Sequence, residues 1–141
     1  MTETQTARTI LDMEKWGKIF ADSAPAYQQA HPYPFAFFDN FLTPEAAQAA
    51  MDAFPGVKDE GWIHYVHVNE KKHGLNKMDM IPPDIQDVIR ELNSESFVKN
   101  LSRLTGIPDL HPDPSLEGGG LHQTKRGGFL NIHADFTVHP H

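Results

Sequence analysis

A change of pattern past Gly106 limits the folds open to this chain. Between Ile81 and Leu104, apolar residues recur at helical spacing in two runs, first Ile85, Val88, Ile89 and Leu92, then Phe97, Val98, Leu101 and Leu104. Ile81-Pro82-Pro83 introduces the first run, Ser94 caps the second, and Gly106 with Pro108 stops it. From His111 onward the composition shifts to Pro, Asp and Gly. There residues 117–120 read as a loop, 121–124 as a strand, 125–128 as a turn and 129–136 as a second strand. Helices come first and strands gather late, which predicts an α+β fold.

The earlier chain follows the same reasoning. Residues 11–20 carry a loosely periodic helix signal, Leu11, Ile19 and Phe20, which Ala24-Pro25 should break. Residues 31–34 read as extended, and the aromatic run 35–38 as a buried strand. Thr43 can cap a helix, Pro44 suits its first position, and Glu45 complements the positive end of the dipole. Ala46, Ala47, Ala50, Met51 and Phe54 should form its apolar face, ended by Pro55-Gly56. Residues 62–68 have strand composition, with His64 and His67 on opposite faces, which argues against a shared metal. Trp62, Tyr65 and the phenylalanines read as core. The lysine-bearing segment 69–79 reads as a solvated connection.

At 141 residues and 39% hydrophobic content the chain is one domain with a real core. It divides into a leading extension and helix (1–30), helical support with early strands (31–110), and a strand-rich tail (111–141). Nineteen acidic against 12 basic residues leave a net charge of −7, which repels phosphate backbones and disfavours nucleic-acid partners. No cysteine is present, so metal chemistry falls to histidine and carboxylate. Residues 1–8 are polar and carry no apolar run, so neither a secretory signal nor a membrane anchor is expected, and the protein reads as cytoplasmic.

The chemistry concentrates in His133-Ala134-Asp135. On a strand, residues two apart share a face with Cα atoms roughly 6.6 Å apart, close enough for an imidazole and a carboxylate to reach one metal. Ferrous oxygenase centres use two histidines and one carboxylate, leaving positions open. Of the neighbours His122 and Gln123, one should face the same side as His133. Gly118-Gly119-Gly120 lacks the Lys-Ser/Thr of a phosphate cradle and precedes a strand, so it reads as a flexible loop. Lys125 and Arg126 read as a solvated basic turn.

Three stretches together resemble the 2-oxoglutarate- and Fe(II)-dependent dioxygenase superfamily, in its prolyl 4-hydroxylase-like branch. Residues 38–45 resemble the opening strand and first helix, residues 117–128 the glycine-rich lead-in, and His133-Ala134-Asp135-Phe136 the metal motif. The resemblance implies helices packed on a double-stranded β-helix, or jelly roll. It implies iron held by His133 and Asp135, 2-oxoglutarate as cosubstrate touched by His122 or Gln123, and ascorbate as an accessory reductant. In such enzymes 2-oxoglutarate loses carbon dioxide to become succinate, and an oxygen atom enters a substrate C–H bond. The substrate would be a prolyl residue, an amino acid or another small molecule.

The sequence also departs from that pattern. Family members supply a second histidine and then a basic residue well downstream, and neither is present. Leu130 stands where many prolyl hydroxylases have tyrosine. On a straight strand His139 would lie roughly 20 Å from His133, too far to share an ion. The chain is therefore expected to be the N-terminal part of a longer enzyme, with an incomplete barrel, missing partner strands and little activity of its own. Two rival readings are a non-catalytic binding module on the oxygenase scaffold and a zinc hydrolase using His133, Asp135 and His139.

Overall fold

The computed structural model describes residues 8–134. Its elements in order are α1 (Met13–Gln28), α2 (Pro44–Asp52), β1 (Ile63–His67), β2 (Glu70–Leu75), a 3-10 turn (Met78–Met80), α3 (Pro83–Leu92), α4 (Glu95–Thr105), β3 (Leu121–Gln123) and β4 (Phe129–Leu130). This is a mixed α+β arrangement of helices with a small antiparallel sheet.

The helix starts follow from capping side chains. Asp12 accepts from Lys15 N at 2.9 Å, Thr43 from Ala46 N at 3.2 Å and Ser94 from Phe97 N at 3.2 Å, each satisfying an amide that has no partner inside its helix. Pro83 occupies the first position of α3, where the missing N–H costs nothing. At the end of α4, Gly106 adopts φ +72°, the left-handed conformation that closes a helix.

Two cores result. One packs Leu11, Trp16 and Phe20 against Phe97 and Leu104, joining α1 to α4, with Phe38 and Phe41 in edge and tilted contact with the Trp16 and Phe20 rings. The other joins Trp62, Leu75 and Leu121 of the sheet region to Ile81, Ile85 and Leu116, with Ala50 and Ala53 beside them. Leu75 and Ile81 are the most deeply buried large side chains described.

Several expectations are corrected. Helix α1 does not stop at Ala24-Pro25 but carries Pro25 inside it. One amide bond is forfeited there, and tertiary contacts beyond it hold the last turn: Tyr27 packs on the first core, and Gln28 Nε2 donates to the Leu104 carbonyl at 3.2 Å. Residues 35–38 form no strand. Phe35 and Phe37 are exposed, and only Phe38 reaches the core, so the phenylalanines are not uniformly interior. Helix α2 ends at Asp52; Ala46 is buried and Ala50, with Ala53 just past the helix, packs on the second core, whereas Ala47 and Met51 are exposed and the half-exposed Phe54 lies beside the Trp62 ring.

Segment 69–79 is not a solvated connection. Val68-Asn69 makes a two-residue hairpin, with His67 opposite Glu70, and Glu70–Leu75 becomes the central strand. Both strands read in the tail pair antiparallel with it: Leu121 opposite Leu75 through Gln123 opposite His73, then Phe129 opposite Lys71 and Leu130 opposite Glu70. Each therefore has a partner along one edge, where the pairing strands were expected to be missing. Residues 124–128 leave the ladder opposite Lys72, so β3 and β4 form one interrupted line. Gly120 makes this line possible: at φ +93° a Cβ there would fall 2.4 Å from the Leu75 carbonyl oxygen. Strand β4 stops at Leu130, residues 131–134 are not in a strand, and Asp135 and Phe136 lie outside the described residues. No helix among the described residues is long and apolar enough to cross a membrane.

Candidate functional site

Register and alternation sort the sheet into two faces. Leu75 and Leu121 point to the second core, together with His73 and Gln123 on the same face. The opposite face carries Tyr65 and His67 of β1, Glu70 and Lys72 of β2, His122 of β3 and Leu130 of β4. Those six side chains, with Gly118, His133 and Ala134, line a recess of about 330 Å3. His122 and His133 thus meet in one recess. Gln123 does not: its Nε2 donates to the Pro55 carbonyl at 3.2 Å on the other side of the sheet.

His133 owes its position to the hairpin. The Asn131 N–H donates to the Asn69 carbonyl at 2.8 Å, and Asn131 Nδ2 donates to the Val68 carbonyl at 3.2 Å. The Asn131 carbonyl lies 2.7 Å from His133 Nδ1. A carbonyl only accepts, so Nδ1 carries the proton, and a neutral ring then holds its lone pair on Nε2.

Across the recess, Glu70 joins two neighbours. His67 Nε2 lies 2.8 Å from Oε1, and Lys72 Nζ 2.9 Å from Oε2. Because the Asn69 N–H donates to His67 Nδ1 at 3.3 Å, the neutral His67 ring donates to Glu70 through Nε2. The Lys72 hydrogen bond holds the Glu70 carboxyl below its usual range, opposed by burial and helped by the His67 hydrogen bond. Lys72 also sits 5.5 Å from the Tyr65 ring centroid, within cation–π range. Gly74 makes room for this ring, since a Cβ there would come 2.9 Å from Tyr65 Cε2.

Tyr65, His67, Glu70 and Lys72 were not singled out as site residues by sequence reasoning. The signal available was the alternation Glu70-x-Lys72-x-Gly74 after a Val68-Asn69 turn, which reads as a strand only once Leu75 is known to be buried. Lys125 and Arg126 are exposed in the excursion between β3 and β4, and Trp62 is buried.

No family model, curated protein or solved structure matches this chain.

The chain's own donors therefore carry the comparison with an iron site. Among the described residues, no three His, Asp or Glu side chains gather so as to hold a metal ion. Asp135, His139 and His141 lie outside the described residues. His133 itself has the arrangement of a metal-ligating imidazole, one ring nitrogen donating to a backbone carbonyl, which fixes tautomer and ring orientation. The donor chemistry of His133 with Asp135 fits two of the three positions of a ferrous centre.

Proposed function

We propose that this chain contributes to a 2-oxoglutarate- and Fe(II)-dependent oxygenase of the prolyl 4-hydroxylase-like kind, its sheet being part of a double-stranded β-helix. His133 and Asp135 would hold the iron, His133 through Nε2 and Asp135 through a carboxylate oxygen, and a second imidazole would come from a residue other than these. Iron held there would activate dioxygen, one oxygen atom going to succinate as 2-oxoglutarate loses carbon dioxide and the other to a C–H bond of a small-molecule or peptidyl substrate, with ascorbate as accessory reductant.

The observation that carries this reading is the His133 Nδ1 contact with the Asn131 carbonyl at the rim of a polar recess. The recess residues have roles that follow from their chemistry. His122 lies on the recess wall, from which it would contact the cosubstrate, and the Lys72–Glu70 ion pair lines the same wall. Tyr65 and Leu130 offer apolar surface on either side. A cytoplasmic setting without nucleic-acid or membrane partners belongs to the same reading.

Anaerobic titration of the full chain with Fe(II), with and without 2-oxoglutarate, tests it. The proposal expects weak iron binding that 2-oxoglutarate strengthens by itself chelating the ion, and that His133→Ala or Asp135→Ala weakens further by about tenfold or more. Unchanged iron binding in both variants would remove the pair from the mechanism. A preference for zinc with no response to 2-oxoglutarate would turn the reading toward a hydrolase.

A further inference from the structure

The geometry points to a second metal site, formed by His64 and His73 on the face of the sheet opposite the recess and selective for a late first-row divalent cation, copper(II) or zinc(II). The two residues are direct cross-strand partners on β1 and β2, and their rings stand with centroids 4.6 Å apart at an interplanar angle of 74°. When two imidazoles bind one ion at roughly 2.0–2.1 Å, each ring centre lies roughly 3.2 Å from the ion. Ligand angles between square and tetrahedral then separate the centres by roughly 4.5–5.2 Å. The observed separation falls inside that window, so the spacing of the two rings is compatible with both binding one ion.

An independent observation marks the same place. Among the described residues, His73 Nδ1 is the one buried side-chain nitrogen or oxygen without a hydrogen-bond partner. Such groups are rare, and an ion accepting the lone pair satisfies this one. His64 is exposed, which gives an ion a route in. Gln123 is the cross-strand partner of His73 on β3, and its Nε2 is engaged by Pro55, so the amide oxygen is the atom left to add a neutral donor to the row. With water completing the shell, the site has nitrogen donors and no carboxylate on its strands' shared face. It therefore suits copper and zinc, not magnesium or calcium. Lys71, further along that face, disfavours ions held by charge alone. A bound ion would staple the edge strand β1 to the central strand β2.

The site is separable from the proposed iron centre, because it lies on the other face and uses neither His133 nor Asp135. The test is therefore made in the full chain carrying His133→Ala and Asp135→Ala, titrated calorimetrically with copper(II) and with zinc(II). Into this background His64→Phe and His73→Phe are introduced, each keeping a ring in place while deleting its nitrogens. One equivalent should bind, either Phe substitution should weaken it about tenfold or more, and the pair together should cost little beyond either alone. Retention of the affinity by either Phe variant overturns the proposal. Long-range 15N spectra of the chain with His64 and His73 intact give a second reading: zinc should shift the His64 and His73 ring nitrogens together, ahead of the other histidines. Zinc shifts confined to other histidines would overturn it equally.

Discussion

Asn131 joins His133 to the β1–β2 hairpin: its N–H donates to the Asn69 carbonyl at 2.8 Å, and its own carbonyl accepts from His133 Nδ1 at 2.7 Å. A residue near the end of the described chain is thereby oriented by a turn formed much earlier. The ring of His133 follows the backbone of the hairpin and not a strand of its own.

That linkage predicts a tautomer. Long-range 15N spectra should show neutral His133 protonated at Nδ1, against the Nε2–H preference of a free imidazole. Asn131→Gly removes the Nδ2 bond to the Val68 carbonyl and loosens the backbone, so the Nδ1–H fraction should fall. The same change should cost about 0.5–1.5 kcal/mol in chemical denaturation. An unaltered tautomer ratio would separate His133 from the hairpin.

Glu70 should show in the acid limb of the stability curve. Its folded pKa lies below the ordinary 4.5, chiefly through the Lys72 hydrogen bond, then His67, with burial opposing. Between the folded value and 4.5 the unfolded chain therefore binds more protons than the native one. The contribution is present above the unfolded value and is lost as pH falls through the folded value. Thermal unfolding of Glu70→Gln between pH 7 and about pH 3 should accordingly be less acid-sensitive than that of the parent chain, with a melting temperature slightly lower at neutral pH. Parallel curves for the two proteins would show that the carboxylate is not held in this way.

Leu75 and Phe37 make a contrasting pair. Leu75 is fully buried at the centre of the sheet core, so Leu75→Ala should destabilise by about 2–5 kcal/mol in urea unfolding. Phe37 is 86% exposed, and Phe37→Ser should stay within about 0.5 kcal/mol of the parent. Equal losses at the two positions would mean that the aromatic run is interior after all.

Local chemistry was legible where it acts over a few residues. Thr43-Pro44-Glu45, Ser94 and Gly106 start and stop helices through bonds made within one turn, and α3 and α4 appear where their apolar spacing puts them. The same kind of reading failed at Pro25, where the lost amide bond is outweighed by Tyr27 and Gln28 contacts with residues far along the chain. It failed again at residues 35–38, because aromatic content does not say which rings will find a neighbour.

The candidate site divides in the same way. The amino-acid sequence by itself determined that any metal chemistry must use imidazole and carboxylate, since no cysteine is present, and it singled out His133 with Asp135 and its neighbour His122. The tertiary structure alone decided that His122 and not Gln123 shares a recess with His133, that Glu70 and Lys72 line the same recess, and that His64 faces His73. The physical reason is register. Side chains on a strand alternate between two faces, and which partner each meets depends on how distant strands align, which the spacing of residues along one strand does not encode.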